Sequence, residues 1–263
     1  MKIFAFFRVC TKLILFSLLM LNYFIVAVII TFFSRFNMAC ARPRLTKLVS
    51  FTGRVGLKII GINVVQNSRH VGHAKNFLIV SNHLGYLDIL VISSFFPSCF
   101  VTSMEMKKTF FLGQICLLAG CLFVDRKNRR NIHKEVSELT KALQAGLSVV
   151  IFPEARSTDG SLVVAFKRPL FQAAIDAKSS VLPICLNYKS INKQEVTAQN
   201  RDVLFWYGNK LFITHVIKLF AHKNILVEMN IFPDFSASNY KDKLEISDKC
   251  HELLSSKYRK IAH

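Results

Sequence analysis

The sequence predicts an α/β fold: a mixed, partly parallel central sheet flanked by helices and preceded by an N-terminal membrane helix. Three observations carry this expectation. Short β-branched runs alternate with helical stretches along most of the chain, as a layered sheet with crossover helices requires. Residues 13–33 form a 21-residue run without a charge, which at about 1.5 Å per residue crosses a hydrocarbon core of about 30 Å. The first 87 residues contain 11 Lys or Arg and no Asp or Glu, so positive charge gathers around that apolar run.

The 263 residues suffice for a substantial core. They divide into an N-terminal anchor with a basic interfacial helix, residues 1–57, and an α/β body, residues 58–263. The net charge of +19 calls for an anionic partner. Because much of that charge flanks the apolar run, in a chain that is 52% hydrophobic with 24 Phe, the partner is a membrane surface and not nucleic acid. The seven Cys are odd in number, irregularly spaced and mostly within apolar runs, with no C-x-x-C pair. They read as small core residues in a reducing compartment, not as disulfides or zinc ligands.

Lys2, Arg8 and Lys12 precede the apolar run. It is long for a signal-peptide core and lacks an A-x-A-like site, which favours a retained anchor. Six basic residues between 35 and 58 outweigh those three and place the body on the cytoplasmic side of an inner membrane. A helix lying in one leaflet fits the same residues. Residues 41–56 form a basic interfacial helix.

Residues 59–65 read as a strand, 67–75 as a polar loop and 77–80 as a buried strand. A helix follows over 86–96, ending before Pro97, then a strand at 100–102. Residues 110–118 form an apolar helix closed by Gly120, and 121–124 a strand. Residues 128–145 form an amphipathic helix with Ile132, Val136, Leu139 and Leu143 on one face and Gly146 as its stop. Strands at 148–152, 181–187 and 225–232 and helices at 169–177 and 241–261 complete the reading; Pro169 suits a first helical turn.

The chemistry gathers where strands end. His83 and Asp88 flank Gly85 at a strand-to-helix turn. On one continuous helix they would stand about 140° and about 7.5 Å apart, but a tight turn at Gly85 lets them meet. Asp88 then orients one imidazole nitrogen while the other serves as a base. A plainer alternative is a buried His on a turn and an Asp serving the helix start. No G-x-S-x-G elbow occurs, so the hydroxyl for His83 to activate belongs to a substrate. Arg126 follows the strand at 121–124 and is a candidate phosphate binder, with Lys127, Arg129 and Arg130 as a solvated or membrane-facing basic face. Glu154, Arg156 and Ser157 follow the strand at 148–152 and stand as candidate substrate-binding residues, with a buried structural Glu–Arg pair as the alternative.

Four stretches in order resemble the 1-acyl-sn-glycerol-3-phosphate acyltransferase (lysophosphatidic acid acyltransferase) family. Asn82, His83 and Asp88 match N-H-x-x-x-x-D; Phe123 to Arg126 resemble F-I-D-R; Phe152, Pro153 and Glu154 match part of F-P-E-G-T-R-S; Val181 to Ile184 match an apolar run with Pro. Trp206-Tyr207-Gly208-Asn209 resembles a W-Y-G-D stretch found in some bacterial members, among them enzymes acylating lyso-ornithine lipid. The third motif departs from the pattern: Ala155 stands where Gly is usual, and Ser157 where the family's phosphate-binding Arg is expected, with Arg156 one place early. A Lys that the family often carries near Ser103 is also missing, although Lys107 and Lys108 follow.

The resemblance implies a glycerolipid acyltransferase-like fold and acyl transfer from an acyl carrier protein or coenzyme A thioester to the free hydroxyl of a lysophospholipid. 1-Acylglycerol-3-phosphate is the expected acceptor and phosphatidate the product. It implies His83 as general base, Asp88 as its partner, acceptor binding through Arg126, Glu154, Arg156 and Ser157, and no metal or bound cofactor. A lyso-ornithine or other lysolipid acceptor on the same fold is one alternative. A non-catalytic protein binding anionic membranes is another.

Overall fold

The computed structural model describes residues 2–68, 74, 76–126 and 129–261, so residues 69–73 and 75 of the expected polar loop, and Lys127 and Asn128, lie outside it. The chain opens with two helices, α1 (Lys2–Phe33) and α2 (Met38–Ile60), then β1 (Ile62–Ser68), β2 (Phe77–Ser81), α3 (Tyr86–Phe95) and β3 (Ser98–Ser103). Next come α4 (Met104–Lys107), α5 (Phe110–Leu118), β4 (Leu122–Val124), α6 (Ile132–Gln144), β5 (Ser148–Ile151), α7 (Gln172–Asp176), β6 (Ser180–Ile191) and β7 (Gln194–Glu195). The chain closes with α8 (Phe212–Phe220), β8 (Ile225–Ile231), β9 (Phe235–Ser236) and α9 (Lys243–Lys257).

The sheet runs in the order β1-β8-β6-β2-β5-β3-β4, with β7 and β9 paired to β6. All its neighbours along that order are parallel except β6 and β8, which makes the predicted mixed, partly parallel sheet. β2 lies near the centre, and all five of its residues are buried. Its alternate side chains enter two cores: Phe77 and Ile79 meet one, Leu78 and Val80 the other. A strand covered on both faces needs a continuous apolar run, which Phe77-Leu-Ile-Val80 supplies. One face carries α2, α3 and α8, the other α6, α7 and α9.

α1 and α2 form an antiparallel hairpin. Asn37 caps α2 through its side-chain oxygen, which accepts from the N–H groups of Ala39 and Cys40. Within residues 4–33 of α1 the most apolar 18-residue window has a mean hydropathy of 2.7, with 11% of it buried. Where α1 meets the body it is pinned by charge: Arg8 Nη1 donates to the Ala221 carbonyl at 2.7 Å, and Lys12 Nζ to those of Ile60 and His222. These carbonyls end α2 and α8, where a cation complements the helix dipole.

Several boundaries differ from expectation. The strand expected at 59–65 starts at Ile62, because Gly61, at φ 85°, caps α2 and keeps residues 59–60 in its last turn. The helix expected at 169–177 is a 3₁₀ turn, Pro169–Phe171, followed by α7. The one expected at 241–261 begins after the Asp242 cap and ends at Lys257. Residues beyond it are held as a strap, with Arg259 N–H donating to Asn187 Oδ1 and Ile261 N–H to the Gly160 carbonyl. α4, α8, β7 and β9 were not read from the sequence.

α2 crosses α3 at Gly53. A Cβ there would lie 2.7 Å from Ser93 Oγ and 3.1 Å from the Leu90 carbonyl, so only glycine lets the helices approach. Gly53→Val is expected to lower stability by about 1–3 kcal/mol through overpacking, read as a reduced unfolding midpoint in detergent; an unchanged midpoint contradicts this crossing.

Candidate active site

Every candidate side chain follows the C-terminal end of a parallel strand. β2 and β5 pair with Val80 opposite Ile151. Three residues beyond that pair stand His83 and Glu154, so the register sets them side by side. The His83 N–H donates to Glu154 Oε1 at 2.7 Å, and the Val164 N–H to Oε2 at 3.1 Å. On the other flank, β2 leaves the sheet after Ser81 while β6 continues. The Asn82 amide replaces the missing main chain: its nitrogen donates to the Leu186 carbonyl at 3.0 Å and its oxygen accepts the Leu186 N–H at 2.8 Å. An amide side chain offers both groups at once.

Asp88, in the first turn of α3, is fully buried. Its Oδ2 accepts from the N–H groups of Leu84 at 2.6 Å and Gly85 at 2.9 Å, and lies 3.0 Å from His83 Nδ1. Its Oδ1 accepts the Tyr188 hydroxyl at 2.8 Å. A carboxylate only accepts, so the imidazole carries its proton on Nδ1 and leaves Nε2 with a lone pair. The His83 ring stacks on Phe152, centroids 4.1 Å apart, and its side chain is 20% exposed. Such an imidazole can accept a proton from a hydroxyl brought to Nε2.

Two further contacts fix the turn. The Thr158 N–H donates to the His83 carbonyl at 2.9 Å, and the Trp206 N–H to the Leu84 carbonyl at 3.0 Å. Gly85 is required by the second of these: a Cβ there would lie 2.9 Å from Trp206 N. Ser157 Oγ donates to the Trp206 carbonyl at 2.7 Å, so this hydroxyl holds the 206 loop. Ala155 has φ 59°, a left-handed backbone that costs a non-glycine residue about 1–2 kcal/mol. That strain follows from the departure in the third motif.

Arg126 Nη1 donates to the Ala155 carbonyl, which ties the stretch after β4 to the one after β5. Arg126, Arg156 and Ser157 line a cavity of about 1030 Å³ together with His83. Glu154 does not line it; its carboxylate is engaged with main-chain N–H groups. The rest of the cavity is mostly apolar, walled by Phe16, Met20 and Tyr23 of α1, Leu90 of α3, Ile115 of α5 and Phe220 of α8. It therefore joins a polar end, with an imidazole and two guanidinium groups, to a greasy end beneath α1. Arg130 is exposed beyond the cavity wall; Lys127 and the Arg129 side chain lie outside the described residues.

His83 and Asp88 meet as their spacing allows, and Arg126, Arg156 and Ser157 share one cavity with His83. Sequence reasoning missed the parts played by Asn82, Thr158 and Tyr188. Tyr188 is 100 positions from Asp88, and no local pattern links them.

Residues 62–187 match the family model described as Acyltransferase. The chain is 27% identical over 215 residues to a 1-acyl-sn-glycerol-3-phosphate acyltransferase of Neisseria gonorrhoeae, covering 82% of each. It is 24% identical over 215 residues to a lyso-ornithine lipid O-acyltransferase of Rhizobium meliloti, covering 79% of this chain and 72% of that one. The crystal structure of the 1-acyl-sn-glycerophosphate acyltransferase PlsC from Thermotoga maritima has the same fold, with a TM-score of 0.60 at 18% identity, over 93% of this chain and 95% of that one.

Burial lifts the Glu154 carboxyl from its usual 4.5 to about 7; the His83 and Val164 N–H groups and Arg156 oppose the rise, and Asp88 adds to it. Between those two values the folded chain keeps a proton that the unfolded chain has lost. Its contribution is therefore present at pH 4.5 and is lost as pH rises to about 7, amounting to about 3 kcal/mol. Unfolding midpoints are expected to fall across this window, and Glu154→Gln to flatten the fall; an equal slope in both proteins contradicts the assignment.

Proposed function

This chain is an acyltransferase of the 1-acyl-sn-glycerol-3-phosphate acyltransferase family, and we propose that it moves a fatty acyl group from a thioester to the free hydroxyl of 1-acylglycerol-3-phosphate, giving phosphatidate. The observation that carries the reading is the His83–Asp88 pair at the polar end of a deep apolar cavity, facing the same space as Arg126 and Arg156.

His83 Nε2 takes the proton of the acceptor hydroxyl as its oxygen attacks the thioester carbonyl. The new C–O bond forms, the C–S bond breaks, and the leaving thiolate takes the proton from the imidazolium. Asp88 faces the positive charge that His83 carries between those steps. Arg126 and Arg156 bind the acceptor phosphate, to which guanidinium offers paired donors. Glu154 holds the main chain of His83, and Ser157 holds the Trp206 loop beside the acceptor. The acyl chains occupy the apolar end. A thioester is already an activated donor, so the reaction draws on an acyl carrier protein or coenzyme A thioester as substrate and calls for no metal or bound cofactor.

The membrane is the second partner. α1 presents an exposed apolar face, while α2 returns beside it carrying Arg42, Arg44, Lys47, Arg54 and Lys58. A helix so charged does not cross hydrocarbon, so the hairpin lies in one leaflet, on the cytoplasmic side. This arrangement sets the cavity roof where acyl chains are found.

A lyso-ornithine lipid acceptor is the second reading. It is favoured by Ser157, which stands at the position of the family's expected Arg, and by the relatives named for that activity.

Purified protein in detergent, given labelled acyl thioesters and a panel of lysolipids, is expected to acylate 1-acylglycerol-3-phosphate fastest; faster transfer to lyso-ornithine lipid favours the second reading. His83→Ala is expected to keep its fold and lose the activity by about 10²–10⁴. Binding to anionic vesicles without transfer to any acceptor supports a non-catalytic membrane protein instead.

A further inference from the structure

The cavity explains the inner sides of α5 and α8 and leaves their outer sides unexplained. On α8, Phe212, Val216, Leu219 and Phe220 line the cavity, whereas Ile213 and Ile217, with the preceding Leu211, point away from it and are exposed. On α5, Phe111, Leu112 and Ile115 line the cavity, whereas Phe110 does not and is 94% exposed. The main chain of the turn that carries Phe110 is held by close packing. Gly113 packs so close to α4 that a Cβ would lie 2.3 Å from the Lys107 carbonyl, and its N–H closes the turn on the Thr109 carbonyl at 2.8 Å.

Both helices adjoin α1 through their inner sides. Phe111 packs on Phe24 of α1 with ring centroids 5.9 Å apart, and Phe220 on Phe16 at 5.6 Å. The two elements therefore flank α1 at different points along its length. Each also carries positive charge: Lys107 and Lys108 precede Phe110, and Lys218 lies within α8, whereas Lys210, before Leu211, is paired with Asp202 at 2.8 Å. Neither α5 nor α8 contains an acidic residue, while α4, which carries Lys107, holds Glu105. Exposed apolar side chains edged by Lys complement an anionic lipid surface, since the apolar part enters the acyl boundary while the ammonium groups meet phosphates.

We propose that Phe110, with Lys107 and Lys108, and the outer face of α8 are two further insertion points into an anionic leaflet. The catalytic body then sits in the lipid surface through its own residues, on either side of the cavity, and is not tethered by α1 alone. The proposal rests on the reading of α1 as a membrane helix and is independent of the acceptor.

The test uses the full chain bound to vesicles of phosphatidylglycerol and phosphatidylethanolamine, with a fraction of the lipid brominated in its acyl chains. Trp206 is the single tryptophan, so Phe110→Trp and Ile213→Trp each add one fluorophore, read after subtraction of the parent signal. Lys141→Trp, on α6 across the sheet, is the control. The added fluorescence at 110 and at 213 is expected to fall at least about twofold with brominated lipid, with little change at 141. Vesicle-bound protein with no quenching at either position overturns the proposal. So does shielding of both positions from aqueous iodide before vesicles are added, with a doubled mass in solution, since a second copy then covers the face. Acyl transfer is assayed separately on the parent protein, so failure of the proposed reaction leaves the quenching result interpretable.

Discussion

The buried carboxylate of Asp88 is the constraint on which the rest of this site depends. A carboxyl group removed from water is costly unless each oxygen finds donors, and here four groups face it: two main-chain N–H groups, the Tyr188 hydroxyl and the His83 ring. Hydrogen bonds to a charged group contribute about 1.5–3 kcal/mol each, so these contacts offset the burial and lock the turn at the start of α3. One side chain thereby caps a helix, shapes the loop before it and sets the tautomer of the imidazole.

The surrounding residues are brought in by strand register. Parallel pairing of β2 with β5 sets Glu154 beside His83, and Asn82 extends the contact with β6 after β2 has ended. Because β2 is central and buried on both faces, the turn it feeds cannot drift. The left-handed Ala155 and the Ser157 contact to Trp206 then hold the strand-end loops around the same space. The acid raised by burial, Glu154, belongs to this scaffold: its two oxygens hold main-chain groups of His83 and Val164 and stay out of the cavity.

Much of this was legible because the signals are local. The buried run 77–80 identified the central strand, the five-residue spacing with Gly85 between allowed His83 and Asp88 to meet, and the uncharged run 13–33 marked the long apolar helix α1. What escaped depends on distant partners. Tyr188 looks like an ordinary strand residue until β6 lies against β2. α8 spans only nine residues, Phe212–Phe220, too few for its helical period to stand out from a short apolar run, although Thr214 and Lys218 mark a polar side. The strand expected from residue 59 overran because Ile59 and Ile60 are β-branched yet close a helix, and only the left-handed Gly61 marks the change.

The site and the cavity meet at His83, so the account is tested most directly at its partner. Asp88→Asn can keep its carbonyl oxygen toward Leu84, Gly85 and His83 while its amide faces Tyr188, whose hydroxyl can turn to accept. The substitution then removes the charge opposite the imidazolium and leaves the turn intact. Steady-state acyl transfer by Asp88→Asn, with an unfolding midpoint recorded on the same sample, should show kcat reduced by about 10² or more at little changed acceptor KM. A folded variant whose kcat stays within about twofold of the parent would contradict the role assigned to the His83–Asp88 pair.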